Sequence, residues 1–301
     1  MKKFIDLCAG IGGFHLALHR LNWKCVYASE IEKTAREVYE ANFKKISPEI
    51  FLNNNFNDDI YKINPRTIPD FDVICAGFPC QPFSQIGKKK GFQESLEGRG
   101  NIFFELTRII KHKRPSAFFL ENVRHIINHD DGKTFQKIRK DLIALGYSFH
   151  FKVLKASDFN LPQHRPRTFM VGFRNETMQD SYFSFPNPQK LTTSMSDIFE
   201  AKCEREIGFT LRLGGMGSRI DDRRNWDSYR VDGKVVKLQP IHGKRMQGFP
   251  DDFYLPESRA KSLKLLGNSV AVDVVEAIGK QIDLYLDNKD SFKKNFQTKI
   301  L

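Results

Sequence analysis

The stretch from Phe71 to Ser84 restricts the fold more than any other part of the chain. Its apolar run, rich in branched residues, reads as a buried strand, and Gly77, Pro79 and Pro82 stop that strand abruptly. A parallel sheet would present its carboxyl end there, opening on the crevice in which open α/β sheets bind ligands. Cys80 stands just beyond that end. Two readings of its thiol are open: an inert core residue, which is the commoner state of cysteine, or a reactive group held on a turn stiffened by prolines.

At 301 residues the chain can form one large domain, alone or with a smaller one. A formal charge of +12 suits a polyanionic partner without requiring one. The 5 cysteines are odd in number and contain no Cys-x-x-Cys pair, so neither a disulfide framework nor a metal site is indicated. A reducing cytoplasm fits that usage. Met1-Lys2-Lys3 leads straight into an apolar strand without a secretory h-region, and no stretch approaches the roughly 20 apolar residues of a membrane span. A soluble, unsecreted protein is expected.

Phe4 to Cys8 reads as a first strand, broken by Ala9-Gly10-Ile11-Gly12-Gly13 before a helix opens at Phe14. A glycine turn between strand and helix brings main-chain N–H groups and a helix N-terminus to a ligand. His15 stands where the third glycine of the dinucleotide fingerprint would fall, so a dinucleotide is not indicated. Cys25 to Ser29 forms a second strand ending at Glu30, about 20 residues beyond the glycines, where a carboxylate can hold ribose hydroxyls. Together these features point to an adenosine-type cofactor. Glu32 to Phe43 has helical spacing and a core stripe. A poorly defined strand is expected between Phe43 and Asn53, followed by a loop-like stretch to Ile60. Its closing pair, Asp59 and Ile60, is either a solvated loop or a contact to the cofactor's base.

Gln85 to Gly100 is rich in glycine and carries Lys88, Lys89 and Lys90. It reads as a mobile loop that carries the thiol and attracts phosphate, or else as a solvated charge run. An amphipathic helix follows from Asn101 to Lys113, then a buried strand from Ala117 to Val123 that delivers Glu121 to the same edge. A carboxylate just after four apolar residues needs a partner. Asp131 is expected to cap a helix from Gly132 to Gly146, with strands at Ser148 to Leu154 and Thr168 to Phe173. Before the second of these, Arg165 and Arg167 alternate at strand spacing and point the same way. They suit a carboxylate, a base carbonyl or a phosphate, or form an exposed pair bound to nothing.

From Arg174 to about Pro256 the periodicity fades while glycine and arginine accumulate. A second, smaller domain of short strands and loops is expected at 181–259, with residues 1–180 and 260–301 forming the first. Arg212, Arg219, Arg223 and Arg224 suit phosphate and base-edge contacts. A helix with Val270, Val274, Ala277, Ile278 and Ile282 on its apolar face returns to the first domain, and the polar tail from Asn288 is expected to fray.

A thiol, a carboxyl, an arginine pair and an adenosine-type cofactor on one sheet edge point to covalent catalysis on an electron-poor ring. The residues that carry this chemistry fall in six stretches: Asp6 to Phe14, Gly77 to Ser84, Glu121 to Val123, Gln163 to Arg167, Arg245 to Pro250 and Gly267 to Val270. In that order they resemble the motifs of DNA cytosine-5 methyltransferases of the bacterial restriction-modification type. The resemblance implies a Rossmann-like α/β fold with a mixed, mostly parallel sheet, helices on both faces and a small β/loop target-recognition domain. It implies S-adenosylmethionine as cofactor, with S-adenosylhomocysteine as product and double-stranded DNA as partner. By the same resemblance Cys80 adds to C6 of a flipped-out cytosine, Glu121 bonds N3, and Arg165 and Arg167 orient the base, since a stacked base cannot enter such a pocket. The cofactor would be framed by Asp6, Cys8, Gly10, Ile11, Gly12, Gly13, Glu30, Ile31, Asp59, Ile60, Gly77, Pro79, Ile102, Asn268, Ser269 and Val270. DNA would be met by Gln81, Ser84, Ile86, Lys88, Lys89, Lys90 and Arg99, with the four arginines of the second domain.

The sequence departs from the family at Cys8 and Ile31, where members usually carry an aromatic and a bulkier residue, and at Ile86, where some carry a small polar one. A monomer acting in the cytoplasm on the nucleoid is expected, with any cognate endonuclease a separate protein. The alternatives within the family are a transfer-RNA methyltransferase and a non-catalytic DNA-binding relative. The first usually carries a Cys-Phe-Thr element, which this sequence lacks, and the second would have lost one of Cys80, Glu121, Arg165 or Arg167. A thiol-dependent dehydrogenase would want the complete glycine fingerprint that His15 interrupts.

Overall fold

The computed structural model describes residues 1–79, 102–175, 182–212 and 214–297, with side chains to residue 287. Cys80 and the loop expected at Gln85 to Gly100 lie outside these residues.

Nine strands and nine α-helices are found among the described residues. The strands are β1 (Lys3–Leu7), β2 (Lys24–Ser29), β3 (Phe56–Asn57), β4 (Val73–Gly77), β5 (Ala117–Val123), β6 (His150–Lys155), β7 (Pro166–Phe173), β8 (Ser228–Val231) and β9 (Lys234–Lys237). The helices are α1 (Gly13–His19), α2 (Lys33–Phe43), α3 (Pro48–Leu52), α4 (Ile102–Lys113), α5 (Lys133–Ala144), α6 (Met195–Phe199), α7 (Pro240–Gln247), α8 (Arg259–Asn268) and α9 (Val272–Gln297).

Seven strands form one sheet in the order β3-β2-β1-β4-β5-β7-β6. Strands β3 to β5 pair in parallel, and β7 and β6 complete the sheet antiparallel. The central strands are apolar on both faces because both are covered. Phe4, Val73 and Phe119 join a cluster with α1, α2 and α9, whereas Ile5, Ile74 and Phe118 join a second cluster with α4 and α5. Each such buried side chain stabilises the fold by about 1.5–3 kcal/mol. The first cluster continues through Met195, Trp226, Met246 and Phe253, so residues beyond the sheet share its core.

Helix α9 closes the molecule against α1. Gly279 permits the approach, since a Cβ there would lie 2.7 Å from Leu21 and 2.9 Å from Leu18. Polar contacts fasten the same face: Trp23 Nε1 donates to Asp283 at 2.9 Å and Arg20 pairs with Asp273 at 2.9 Å.

Where the structure differs from expectation, local chemistry explains it. The strand expected between Phe43 and Asn53 is instead α3: Pro48 opens it and Glu49 sits in its first turn, a good start for a short helix. The third strand is β3, inside the stretch read as a loop. Gly132 is the N-cap of α5 rather than Asp131, because Asp130, Asp131 and Gly132 all take left-handed angles (φ 51°, 51° and 81°) and Asp131 is not extended as a side-chain cap must be. β6 begins at His150 rather than Ser148, and β7 at Pro166 rather than Thr168, which puts Arg167 within the strand. α9 runs to Gln297, past the expected fraying point at Asn288, and no proline or glycine interrupts that segment. The region read as short strands and loops holds the hairpin β8–β9, turning at Asp232-Gly233, together with α6 and α7.

His15 is fully buried on α1, with Nδ1 2.7 Å from Tyr39 Oη, Nε2 3.0 Å from Ser47 Oγ and its ring stacked on Phe43. Burial lowers its pKa to about 3, with His19 adding to the effect, against 6.5 for a free histidine. Below about pH 6.5 the unfolded chain therefore takes up a proton that the folded one refuses, and stability falls as pH drops toward 3. The urea midpoint is expected to fall between about pH 7 and 5, and His15→Gln to flatten that dependence. An unchanged slope in the variant would remove His15 from the account.

Candidate active site

The chain runs from β1 to β2 and β3 on one side of the sheet and from β4 to β5 on the other. The carboxyl ends of β1 and β4 therefore part at a switch point, the place where open α/β sheets hold ligands.

Beyond β1, Cys8 (φ 55°), Gly10 (56°) and Gly12 (86°) take left-handed angles, and the turn enters α1. Gly12 is needed for space as well as for φ, since a Cβ there would fall 2.2 Å from the Phe43 ring. The turn aims the Gly10 N–H at Glu30 Oε2, 2.7 Å away, while Glu30 Oε1 accepts from the Glu32 N–H at 2.8 Å. Burial raises the pKa of Glu30, and these two N–H groups oppose the rise. Glu30 is thus fixed in one orientation with lone pairs to spare. Asp59 accepts from the Tyr61 N–H at 3.0 Å, which sets the start of the short 3₁₀ turn at Ile60. Asp6 lies buried at the end of β1, its oxygens without a hydrogen bond of good geometry among the described residues. Burial drives its pKa well upward, with the nearby His15 N–H opposing and Glu30 adding.

On the other side of the switch point, Gly77 pairs with Glu121 across β4 and β5, and Val123 with Arg167 across β5 and β7. This register brings Arg167 Nε to 3.1 Å from Glu121 Oε1. Burial pushes the Glu121 carboxyl upward, opposed by Arg167 and then Arg165, so it keeps a proton more readily than a free carboxyl does. Asn122 Nδ2 donates to the Phe78 carbonyl at 2.8 Å and so fixes the exit of β4 at Phe78-Pro79, the last described residues before Cys80.

Arg165 is buried and braces the site. It donates to Leu211 O at 3.1 Å, to Gly267 O at 2.9 Å and to Ser269 O, while its Nε has no partner among the described residues. Gln163 holds the same segment from the other side, accepting from the Leu211 N–H at 3.0 Å and donating to Met246 O at 2.9 Å. Gln247 donates to Leu266 O at 2.6 Å.

One cleft of about 560 Å³ collects most of the expected residues: Cys8, Gly10, Ile11, Glu30, Ile31, Asp59, Ile60, Gly77, Pro79, Ile102 and Asn268 line it together with Glu121, Arg165 and Arg167. Asp6, Gly12, Gly13, Ser269 and Val270 are not among its lining residues. At Gly13 a Cβ would fall 2.7 Å from Val270 and 2.8 Å from Ser269 Oγ, so these residues pack the turn against the end of α8. Gln81, Ser84, Ile86, Lys88, Lys89, Lys90 and Arg99 lie outside the described residues. Arg212, Arg219, Arg223 and Arg224 are exposed, but Arg224 pairs with Asp222 at 2.7 Å and Arg219 with Asp221 at 3.4 Å, so part of their charge is met locally. Sequence reasoning gave no role to Asn122, Gln163 or Gln247.

The cleft fits an adenosine-type cofactor. A carboxylate held for hydroxyls, apolar walls at Ile11, Ile60 and Ile102, and open space where a Gly10 side chain would stand suit a nucleoside.

The family model C-5 cytosine-specific DNA methylase matches residues 2–213 and 215–284. The Type II methyltransferase M.HhaI of Haemophilus parahaemolyticus is 37% identical over 326 aligned positions, covering 95% of this chain and 96% of that protein. The Type II methyltransferase M.DsaV of Dactylococcopsis salina is 35% identical, covering 97% and 90% respectively. In fold, the crystal structure of a DNMT2 variant of Spodoptera frugiperda matches with a TM-score of 0.69 at 20% identity, covering 93% of this chain and 99% of that one. With the match running through both sides of the switch point, the chain belongs to the C-5 cytosine-specific DNA methylases, enzymes that use S-adenosylmethionine.

Proposed function

We propose that the protein methylates C5 of a flipped-out cytosine in a short duplex DNA site through a covalent adduct of Cys80 with C6. The observation that carries this reading is the buried Glu121–Arg167 pair, set beside the strand end that leads to Cys80. S-adenosylmethionine supplies a methyl group on a sulfonium. Glu30 would hold its ribose hydroxyls, Asp59 and Ile60 its base, and the Cys8 to Gly12 turn with Asn268 the remainder.

C5 of cytosine is a poor nucleophile. The Cys80 thiolate adds to C6, and the displaced electron pair moves toward C5. Glu121, hydrogen-bonded to N3, lets the ring accept that charge, while Arg167 keeps Glu121 in place and meets the cytosine carbonyl. After methyl transfer the C5 proton is lost, and the electron pair of that bond expels Cys80.

Residues 181–259 would form the target-recognition domain and the rest the catalytic one. The chain would act as a monomer in the bacterial cytoplasm on the nucleoid, as the modification enzyme of a restriction-modification system whose endonuclease is a separate protein. Among the described residues no helix is long and apolar enough to cross a membrane.

Purified protein is expected to move labelled methyl from S-adenosylmethionine to cytosine in duplex DNA. It should also form a covalent adduct with DNA carrying 5-fluorocytosine at the target, because fluorine cannot leave as a cation. Methyl transfer without a trapped adduct would remove C6 addition from the mechanism.

A further inference from the structure

Four consecutive side chains, Asn225 to Ser228, are buried, and each bonds to the main chain of the segment 214–220 before them. Trp226 Nε1 donates to Gly214 O at 3.0 Å, and the Asp227 oxygens accept from the Gly217 N–H at 3.1 and 3.2 Å. Ser228 Oγ donates to Ser218 O at 3.4 Å, and Asn225 Nδ2 donates to Ile220 O at 3.4 Å. Gly215, at φ 90°, is pressed onto the following arginine stretch, where a Cβ would fall 2.2 Å from the Arg224 carbonyl oxygen. At Gly214 and Gly217, by contrast, the position of a Cβ has nothing within 4 Å. The outer main chain there is open to close approach by a partner.

Asp227 holds this arrangement from below. Its fully buried side chain lies 2.6 Å from Arg259 Nη2, and Arg259 Nε donates to Leu238 O at 2.7 Å. Arg259 opens α8, the helix whose far end at Gly267-Asn268 lines the cofactor cleft. Desolvation makes a buried ion pair a weak source of stability, and an apolar side chain would pack there as well. What the carboxylate alone supplies is an acceptor for the Gly217 N–H that the charge of Arg259 holds in one place.

We propose that Asp227 is a positioning residue for target selection: it keeps segment 214–220 in one conformation, so that the open glycine main chain and exposed Arg219 and Arg223 meet base edges in a single register. The inference rests on the reading of the protein as a site-specific DNA methyltransferase. A segment ordered before binding loses little entropy on the correct site and cannot adjust to an incorrect one. Discrimination between sites then depends on the cradle as much as on the side chains that touch DNA.

The test begins with bisulfite sequencing of DNA methylated by the wild-type protein, which gives the target. Values of kcat/KM then follow on duplexes carrying that target and each of its single-base neighbours. Asp227→Asn keeps the shape of the side chain and loses the charge that Arg259 holds. It is expected to lower the ratio of target to neighbour kcat/KM by about tenfold or more, with S-adenosylhomocysteine affinity unchanged in calorimetry. A ratio within about twofold of the wild type overturns the proposal, including the case where activity falls equally on every duplex. A wild-type protein that methylates without sequence preference overturns the underlying reading instead, and does so before any variant is made. If Asp227→Asn does not fold, Trp226→Phe keeps a buried ring and removes the bond to Gly214 O, and the same outcomes decide.

Discussion

Cys80→Ser is expected to reduce methyl transfer by on the order of 10⁴-fold or more, while S-adenosylhomocysteine binding stays at the wild-type level. The thiolate is the attacking species, and a serine hydroxyl at the same place ionises far less readily. Binding should persist because the groups proposed to hold the cofactor stand just beyond β1 and β2 and at the end of α8, where the Gly10 and Glu32 N–H groups and Arg165 brace them. Single-turnover transfer, trapping on 5-fluorocytosine DNA and calorimetry together decide the matter. A variant that still transfers methyl within about tenfold of wild type would show that C6 addition by this thiol is not the route.

The second large effect is expected at Glu121. Glu121→Gln should lower kcat by about 10²- to 10⁴-fold with little loss of fold, since the amide oxygen can still accept from Arg167. It also separates two roles by pH. Burial raises the Glu121 pKa, so the protonated form persists further up the pH scale, and wild-type kcat/KM should fall as pH rises and that proton is lost. The glutamine N–H does not titrate, so the alkaline limb assigned to Glu121 should vanish in the variant. A limb of the same shape in both proteins would assign it to another group.

The parts legible in the sequence are those whose meaning is local. β1, β4 and β5 were readable because apolar runs cut short by glycine or by a carboxylate carry both the strand and its end. Glu30 and Glu121 were readable for the same reason: a charged side chain straight after a buried run has to be satisfied by something. α3 escaped notice because a five-residue helix is too short to show a period, and its only sign was Ser47-Pro48. The braces escaped because their partners are distant in sequence. Asn122 meets a carbonyl 44 residues away, and Arg165 meets carbonyls 46 and 102 residues away. Arg165 was expected beside Arg167 as a base-orienting group. The fold does place both at the cleft, yet the guanidinium of Arg165 is engaged with main-chain carbonyls.

The clasp between α9 and α1 orders events during synthesis. The ribosome delivers β1 and α1 about 250 residues before the helix that covers Leu18 and Leu21. Until residue 283 has emerged, Trp23 lacks its acceptor, and until Asp273 and Glu276 have emerged Arg20 lacks its carboxylate partners. The glycine turn that leads into α1 therefore gains its final support only once α9 has been made, and a chain broken off before α9 leaves that apolar face in water. Helix α9 is in this way a physical check that the cofactor end of the crevice belongs to a chain that has grown past residue 283.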